Sequence, residues 1–141
     1  MVLQDHAVLI VDDDDGSNNV EHFYTNALDR LGIVYDVWDH NRYGTPSKNL
    51  NSYPNVIWLC EWTFPSLDSK DRQLLASYLN EGGKLFLSGQ DIGWDLADFL
   101  GSDVPNEYGK SEGDSKNFFN TYLKANYITN ISNFNTLTGS Q

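Results

Sequence analysis

Residues Ala7-Val-Leu-Ile-Val11 form an unbroken apolar run that ends in Asp12-Asp13-Asp14-Asp15-Gly16. A strand with no apolar–polar alternation has two faces to bury, which is the pattern of a parallel sheet covered on both sides. The rest of the chain supplies the covering layers. Val20, Phe23, Ala27, Leu28 and Leu31 recur on one helical face. Ser17, Asn18 or Asn19 is the expected N-cap of that helix, Glu21 favours its first turn, and Gly32 fits the position just past its end. Ile33–Trp38 is the second expected strand and Asn55–Cys60 the third, with a long polar connection over His40–Tyr53 between them.

A helix capped by Ser66 or Asp68 follows, facing inward with Leu74, Leu75, Tyr78 and Leu79 and stopping at Gly82-Gly83. Lys84–Leu87 is the fourth expected strand. A short helix over Trp94–Leu100 and another over Ser115–Lys124, with Phe119, Tyr122 and Leu123 inward, complete the pattern. Strands alternating with helices are β-α units, and right-handed crossovers fold such units into a three-layer α/β sandwich around a mainly parallel sheet. All 141 residues read as a single domain. Four clear strands make a small sheet, and the tail from Asn126 shows no convincing final strand, so a segment of a longer protein is one reading of the chain.

Composition narrows the function classes. Lys and Arg number 9 against 20 Asp and Glu, a formal net charge of -11. Such a surface repels phosphate backbones and anionic lipid, so nucleic acid is not an expected partner. No apolar run approaches the roughly 18 residues that a bilayer span needs, so no membrane insertion is expected. The single cysteine rules out an internal disulfide and a cysteine-based zinc site.

In open parallel sheets a ligand crevice lies beyond the carboxyl ends of the strands. The candidate pocket residues at those ends are Glu61 and Trp62 after the third strand, and Ser88, Gln90, Asp91 and Trp94 after the fourth. The run Asp12, Asp13, Asp14 and Asp15 reads in two ways. It is a solvated loop feeding negative charge to the next helix N-terminus, or, converging with Asp91, a site for calcium or magnesium, with Glu61 and Gln90 completing an oxygen shell. An EF-hand is excluded, since Val11 and His22 would fall at its first and last ligand positions. Cys60 lies inside an apolar strand and reads as a buried structural thiol. Ser88 lacks a Gly-x-Ser-x-Gly elbow. Trp62 and Trp94, following strand ends, are candidates for a sugar-stacking platform, whereas Trp58 reads as core.

Two resemblances bear on function. Val8-Leu-Ile-Val-Asp-Asp-Asp14 with Glu61-Trp-Thr-Phe-Pro65 and Ser88-Gly89 resembles a response-regulator receiver domain, with Glu61 at the phosphoacceptor position. The Lys-Pro pair that ends that family's last strand has no counterpart. A longer match joins Val8–Ser17, Phe23–Leu28, Tyr35–Asp39, Tyr43–Pro46, Val56–Trp58, Leu79–Gly93 and Asn117–Tyr127. Together these resemble the class I glutamine amidotransferase-like domains attached to secreted peptidases and surface proteins. That resemblance implies a flavodoxin-like sheet of order 2-1-3-4. It also implies an extracellular or cell-surface setting and, as partners, the other domains of a parent protein. Its catalytic machinery is missing: Gln90 stands at or next to the nucleophile position, no downstream histidine exists, and Glu61-Trp62-Thr63 replaces the oxyanion glycines. The expected function is therefore a non-catalytic binding or scaffolding module. The alternatives are a degenerate receiver and a metal-dependent hydrolase using Asp12–Asp15, whose Asp13-x-Asp15-Gly-Ser17 loosely resembles haloacid-dehalogenase phosphatases.

Overall fold

A computed structural model of the chain describes residues 6–14, 16, 19–99 and 113–128. Its sheet has four strands: β1 (Val8–Asp12), β2 (Tyr35–Asp39), β3 (Asn55–Glu61) and β4 (Lys84–Gly89). All pairings are parallel, in the order β2-β1-β3-β4. This is the flavodoxin-like arrangement expected from the sequence. The strands run one or two residues further toward their carboxyl ends than expected, because the ladder continues through Asp12, Asp39, Glu61 and Gly89.

Side-chain parity along the strands sorts the core into two layers. Leu9 and Val11 of β1 join Val56, Trp58 and Cys60 of β3 on one face, under Leu75 and Tyr78 of α3 (Ser69–Asn80). Leu96, Phe118 and Phe119 close the same layer; Leu96 sits in a π-helical turn, Asp95–Phe99, and the two phenylalanines in the later helix Gly113–Thr121. Val8, Ile10 and Leu59 point the other way and meet Leu28 of α1 (Glu21–Leu31). Asp68 caps α3 through a reciprocal box with Asp71. Gly32 ends α1 in the left-handed conformation, as its position after the helix implied.

Four expectations need correction. Phe23, Ala27 and Leu31 were expected inward, but α1 rolls so that the contact line is Val20, Tyr24 and Leu28; Phe23 and Leu31 are 67% and 71% exposed. The i, i+4, i+8 line of Val20, Tyr24 and Leu28 meets Val8, Ile10 and Leu59 of β1 and β3, and Phe23 lines the crevice beyond the strand ends. The cap of α1 is Val20, without a side-chain hydrogen bond from its position, not Asn19; Ser17 and Asn18 lie outside the described residues. The connection after β2 is partly ordered into α2 (His40–Tyr43) and a 3₁₀ turn, Leu50–Ser52. The expected helix at Trp94 starts earlier, at Ile92, and Leu100 and residues 129–141 lie outside the described residues.

Gly83 shows how tightly the turn before β4 is packed. A Cβ there would lie 2.3 Å from ring carbons of Tyr78, whose ring is buried and whose hydroxyl donates to the Tyr53 carbonyl. Gly83→Ala is expected to destabilise the fold by about 1–3 kcal/mol, the usual cost of overpacking a fixed side chain. Urea unfolding should read this as a lowered midpoint.

Candidate functional site

The carboxyl edge of the sheet carries two chemically different clusters, and strand parity separates them. Asp13 continues the parity of Leu9 and Val11 and turns into the α3-side layer. Its two carboxylate oxygens accept from His40 Nδ1 at 2.9 Å and from Trp58 Nε1 at 2.9 Å. His40 Nε2 is 3.1 Å from Asp71 Oδ1, which also accepts from the Thr45 hydroxyl at 2.7 Å. Burial alone would push the His40 imidazole down, but the hydrogen bonds and charges of Asp13 and Asp71 outweigh it and raise its pKa to about 10. The imidazolium is thus the resident form at neutral pH, with both nitrogens donating. Burial raises Asp13 against the pull of His40 and Trp58. Burial acts the same way on Asp71, but bonds from His40 and Thr45 win and hold it below the ordinary carboxylate range.

Asp12 and Asp14 have the opposite parity and turn toward α1. Ligand atoms of Asp12, Asp14 and Glu21 lie within 4.8 Å of one another. Asp12 Oδ1 and Glu21 Oε2 are shielded from solvent with no hydrogen-bond partner. Burial first, then the charges of Asp14, Glu21, Asp39 and Asp13, raises the Asp12 pKa to about 7. These hard oxygens are the residues suited to a divalent cation. Asp12, Asp13 and Asp14 therefore do not act as one unit. Asp91 belongs to neither cluster: it lies, with Asp98, where its charge acts on the Tyr127 hydroxyl. Asp15 lies outside the described residues.

A pocket of about 450 Å³ opens beyond the ends of β3 and β4 on the α1 side. Leu59, Ser88 and Gly89 line its strand side, and Val20, Phe23 and Tyr24 its helix side. Glu61 and Gln90 complete the lining, tied together by a Gln90 N–H to Glu61 carbonyl bond of 2.7 Å. Glu61 adopts a left-handed backbone, φ 46°, as does Asp91 at φ 57°. Three of the six expected pocket residues, Glu61, Ser88 and Gln90, are brought together here. Trp62 is 62% exposed outside the pocket lining, and Trp94 packs on Phe64 and Phe99 with ring centroids 5.9 and 4.7 Å away. Cys60 is fully buried, its thiol donates to the Ser66 carbonyl at 3.0 Å, and burial with nearby Asp13, Asp71 and Asp95 pushes its pKa far up.

Sequence reading missed His40 and Asp71, and it missed Phe23 and Tyr24 as pocket walls. Asp68-x-x-Asp71 has capping-box spacing, which marked the helix start but not the second bond that Asp71 makes. No family model, characterised protein or solved structure matches the chain.

Two pH effects follow. His40 binds its proton more tightly folded than unfolded, so its stabilisation is complete below pH 6.5 and is lost as pH rises through about 10. His40→Gln strands two buried carboxylates; it should cost about 3 kcal/mol at neutral pH and flatten that alkaline decline. Asp12 also favours its proton when folded, so stability should fall as pH rises from about 4 through about 7, and Asp12→Asn should abolish this fall. Urea melts at stepped pH check both. In the same melts at pH 8, a midpoint raised by millimolar calcium or magnesium would identify a cation on Asp12, Asp14 and Glu21; an unchanged midpoint would identify a cluster relieved by protons alone.

Proposed function

We propose that this chain is a non-catalytic binding domain, an accessory module of a larger extracellular or cell-surface protein, that holds its ligand in the crevice beyond β3 and β4. One observation carries the reading: the crevice is formed by Glu61, Ser88 and Gln90 against apolar walls, with no thiol or histidine among the described residues of its lining. Nucleophilic catalysis needs an exposed, activated group within hydrogen-bond reach of a base. Cys60 is sealed beneath the opposite face with its thiol pKa pushed up. Both nitrogens of His40 are held by carboxylates, which leaves none to accept a proton. The resemblance to amidotransferase-like domains supports the accessory role and the extracellular setting, because those domains are attached to secreted peptidases and surface proteins. Among the described residues no helix is long and apolar enough to cross a membrane.

The native protein is expected to release no ammonia from glutamine. Iodoacetamide should label Cys60 at neutral pH far more slowly than a free thiol, with full labelling in urea, because reaction requires local opening of the core. Rapid stoichiometric labelling, or a glutaminase activity that disappears in Cys60→Ala, would overturn the proposal.

A further inference from the structure

The α3-side layer carries a second cavity, of about 370 Å³, within the roughly 300–1,000 Å³ of small-molecule sites. Three segments build it. Ala97 and Asp98 come from the π-helical turn Asp95–Phe99, a rare geometry that recurs at functional sites. Lys116 and Asn120, one turn apart, come from the helix Gly113–Thr121. The Ser115 hydroxyl donates to the Leu96 carbonyl at 2.6 Å and holds that helix on the turn. Lys124 then takes a left-handed backbone, φ 55°, and the Ala125 N–H bonds back to the Phe119 carbonyl at 3.5 Å. The reversal brings Asn126, Tyr127 and Ile128 to the same cavity.

We infer that this cavity is a second binding site, separate from the crevice, for a neutral polyhydroxyl ligand of the sugar class. Tyr127 marks it: the hydroxyl is shielded from solvent and has no hydrogen-bond partner among the described residues. Burial first, then the charges of Asp98 and Asp91, raises its pKa, so the phenol is a donor at neutral pH. The other groups differ in kind. Asp98 accepts only, Lys116 donates only, and the Asn120 and Asn126 amides do both. One charge of each sign favours a ligand with no net charge, since an anion would repel Asp98 and a cation Lys116. A zwitterion answers the two charges but not the amides and the phenol together. Adjacent sugar hydroxyls, each a donor and an acceptor, answer all of them. Ala97 and the 92% exposed Ile128 add apolar surface for ring C–H groups.

The test titrates glucose, galactose, mannose and N-acetylglucosamine, with glycine as the zwitterion, into the full chain by amide NMR. At least one sugar should give saturable shifts at Asp98, Asn120 and Tyr127 and leave Glu61, Ser88 and Gln90 unmoved. Its dissociation constant should rise roughly tenfold in Asp98→Asn, through loss of a charge-assisted hydrogen bond. Tyr127→Phe keeps the ring that packs against Gly93 and should weaken the same sugar several-fold. Its urea midpoint should be no lower than the parent's, because the removed hydroxyl had no partner to lose. Binding of glycine and of no sugar would make the ligand a zwitterion and overturn the inference. Sugar shifts confined to Glu61, Ser88 and Gln90 would also overturn it, as would no shift from any probe. The crevice reading survives each of these results.

Discussion

A doubly donating imidazolium clamped between two buried carboxylates sets the geometry of the sheet's carboxyl edge. His40 follows β2 immediately, Asp13 follows β1, and Asp71 sits in the first turn of α3, so one ring ties three chain segments distant in sequence. Trp58, at the centre of β3, adds a fourth through its bond to Asp13. Burying charge is costly unless every lone pair and proton finds a partner. Here Asp13 accepts on both oxygens, and Asp71 accepts from His40, Thr45 and the Asp68 N–H, which closes the capping box of α3. The helix start and the strand ends are thus fixed by one network. A change to any member leaves the others charged inside the layer.

The same network decides what happens on the opposite face. Drawing Asp13 into the α3-side layer leaves its neighbours Asp12 and Asp14 with the other parity, toward Glu21 of α1. By the same rule Leu59 of β3 shares a side with Phe86 and Ser88 of β4, Glu61 follows beyond a register shift, and the crevice forms where these strand ends meet Val20, Phe23 and Tyr24. The Tyr24–Phe86 ring contact, centroids 6.0 Å apart, marks where the cover of α1 ends.

Strand identity was legible because Ala7–Val11 and Asn55–Cys60 are apolar runs that only a doubly covered sheet accepts, whereas the order 2-1-3-4 was implied by the resemblance and not by the runs. Cys60 and Trp58 could be placed in the core for the same reason. Glu61, Ser88 and Gln90 were legible as strand-end residues, since the crevice rule depends only on where strands stop. The acid was less legible. Counting Asp12–Asp15 and Asp91 together went by loop, whereas among the described residues alternation sends Asp12 and Asp14 to one face and Asp13 to the other, and Asp91 joins neither group. His40 and Asp71 stayed hidden for another reason: their partnership spans 31 positions and depends on how far a polar connection folds back, which no local pattern encodes. Phe23 was misplaced because helical periodicity gives the spacing of a face and not its rotation, and here Tyr24 wins the contact with the sheet.

The two faces of the carboxyl edge therefore settle like charge in opposite ways. On the α3 side a resident imidazolium compensates Asp13 and Asp71, and the cluster is closed, hydrogen-bonded and nearly dry. On the α1 side Asp12 Oδ1 and Glu21 Oε2 have no hydrogen-bond partner among the described residues, and burial together with the neighbouring carboxylates raises the pKa of Asp12. Ion pairing within the fold makes a site rigid and chemically quiet, since its valences are filled. Crowded carboxylates beside an apolar crevice do the reverse, holding a repulsion that protonation of Asp12 lowers. At this edge of the sheet function is thus expected on the α1 side, and the histidine that looks most like a catalytic group belongs to the side whose chemistry is already complete.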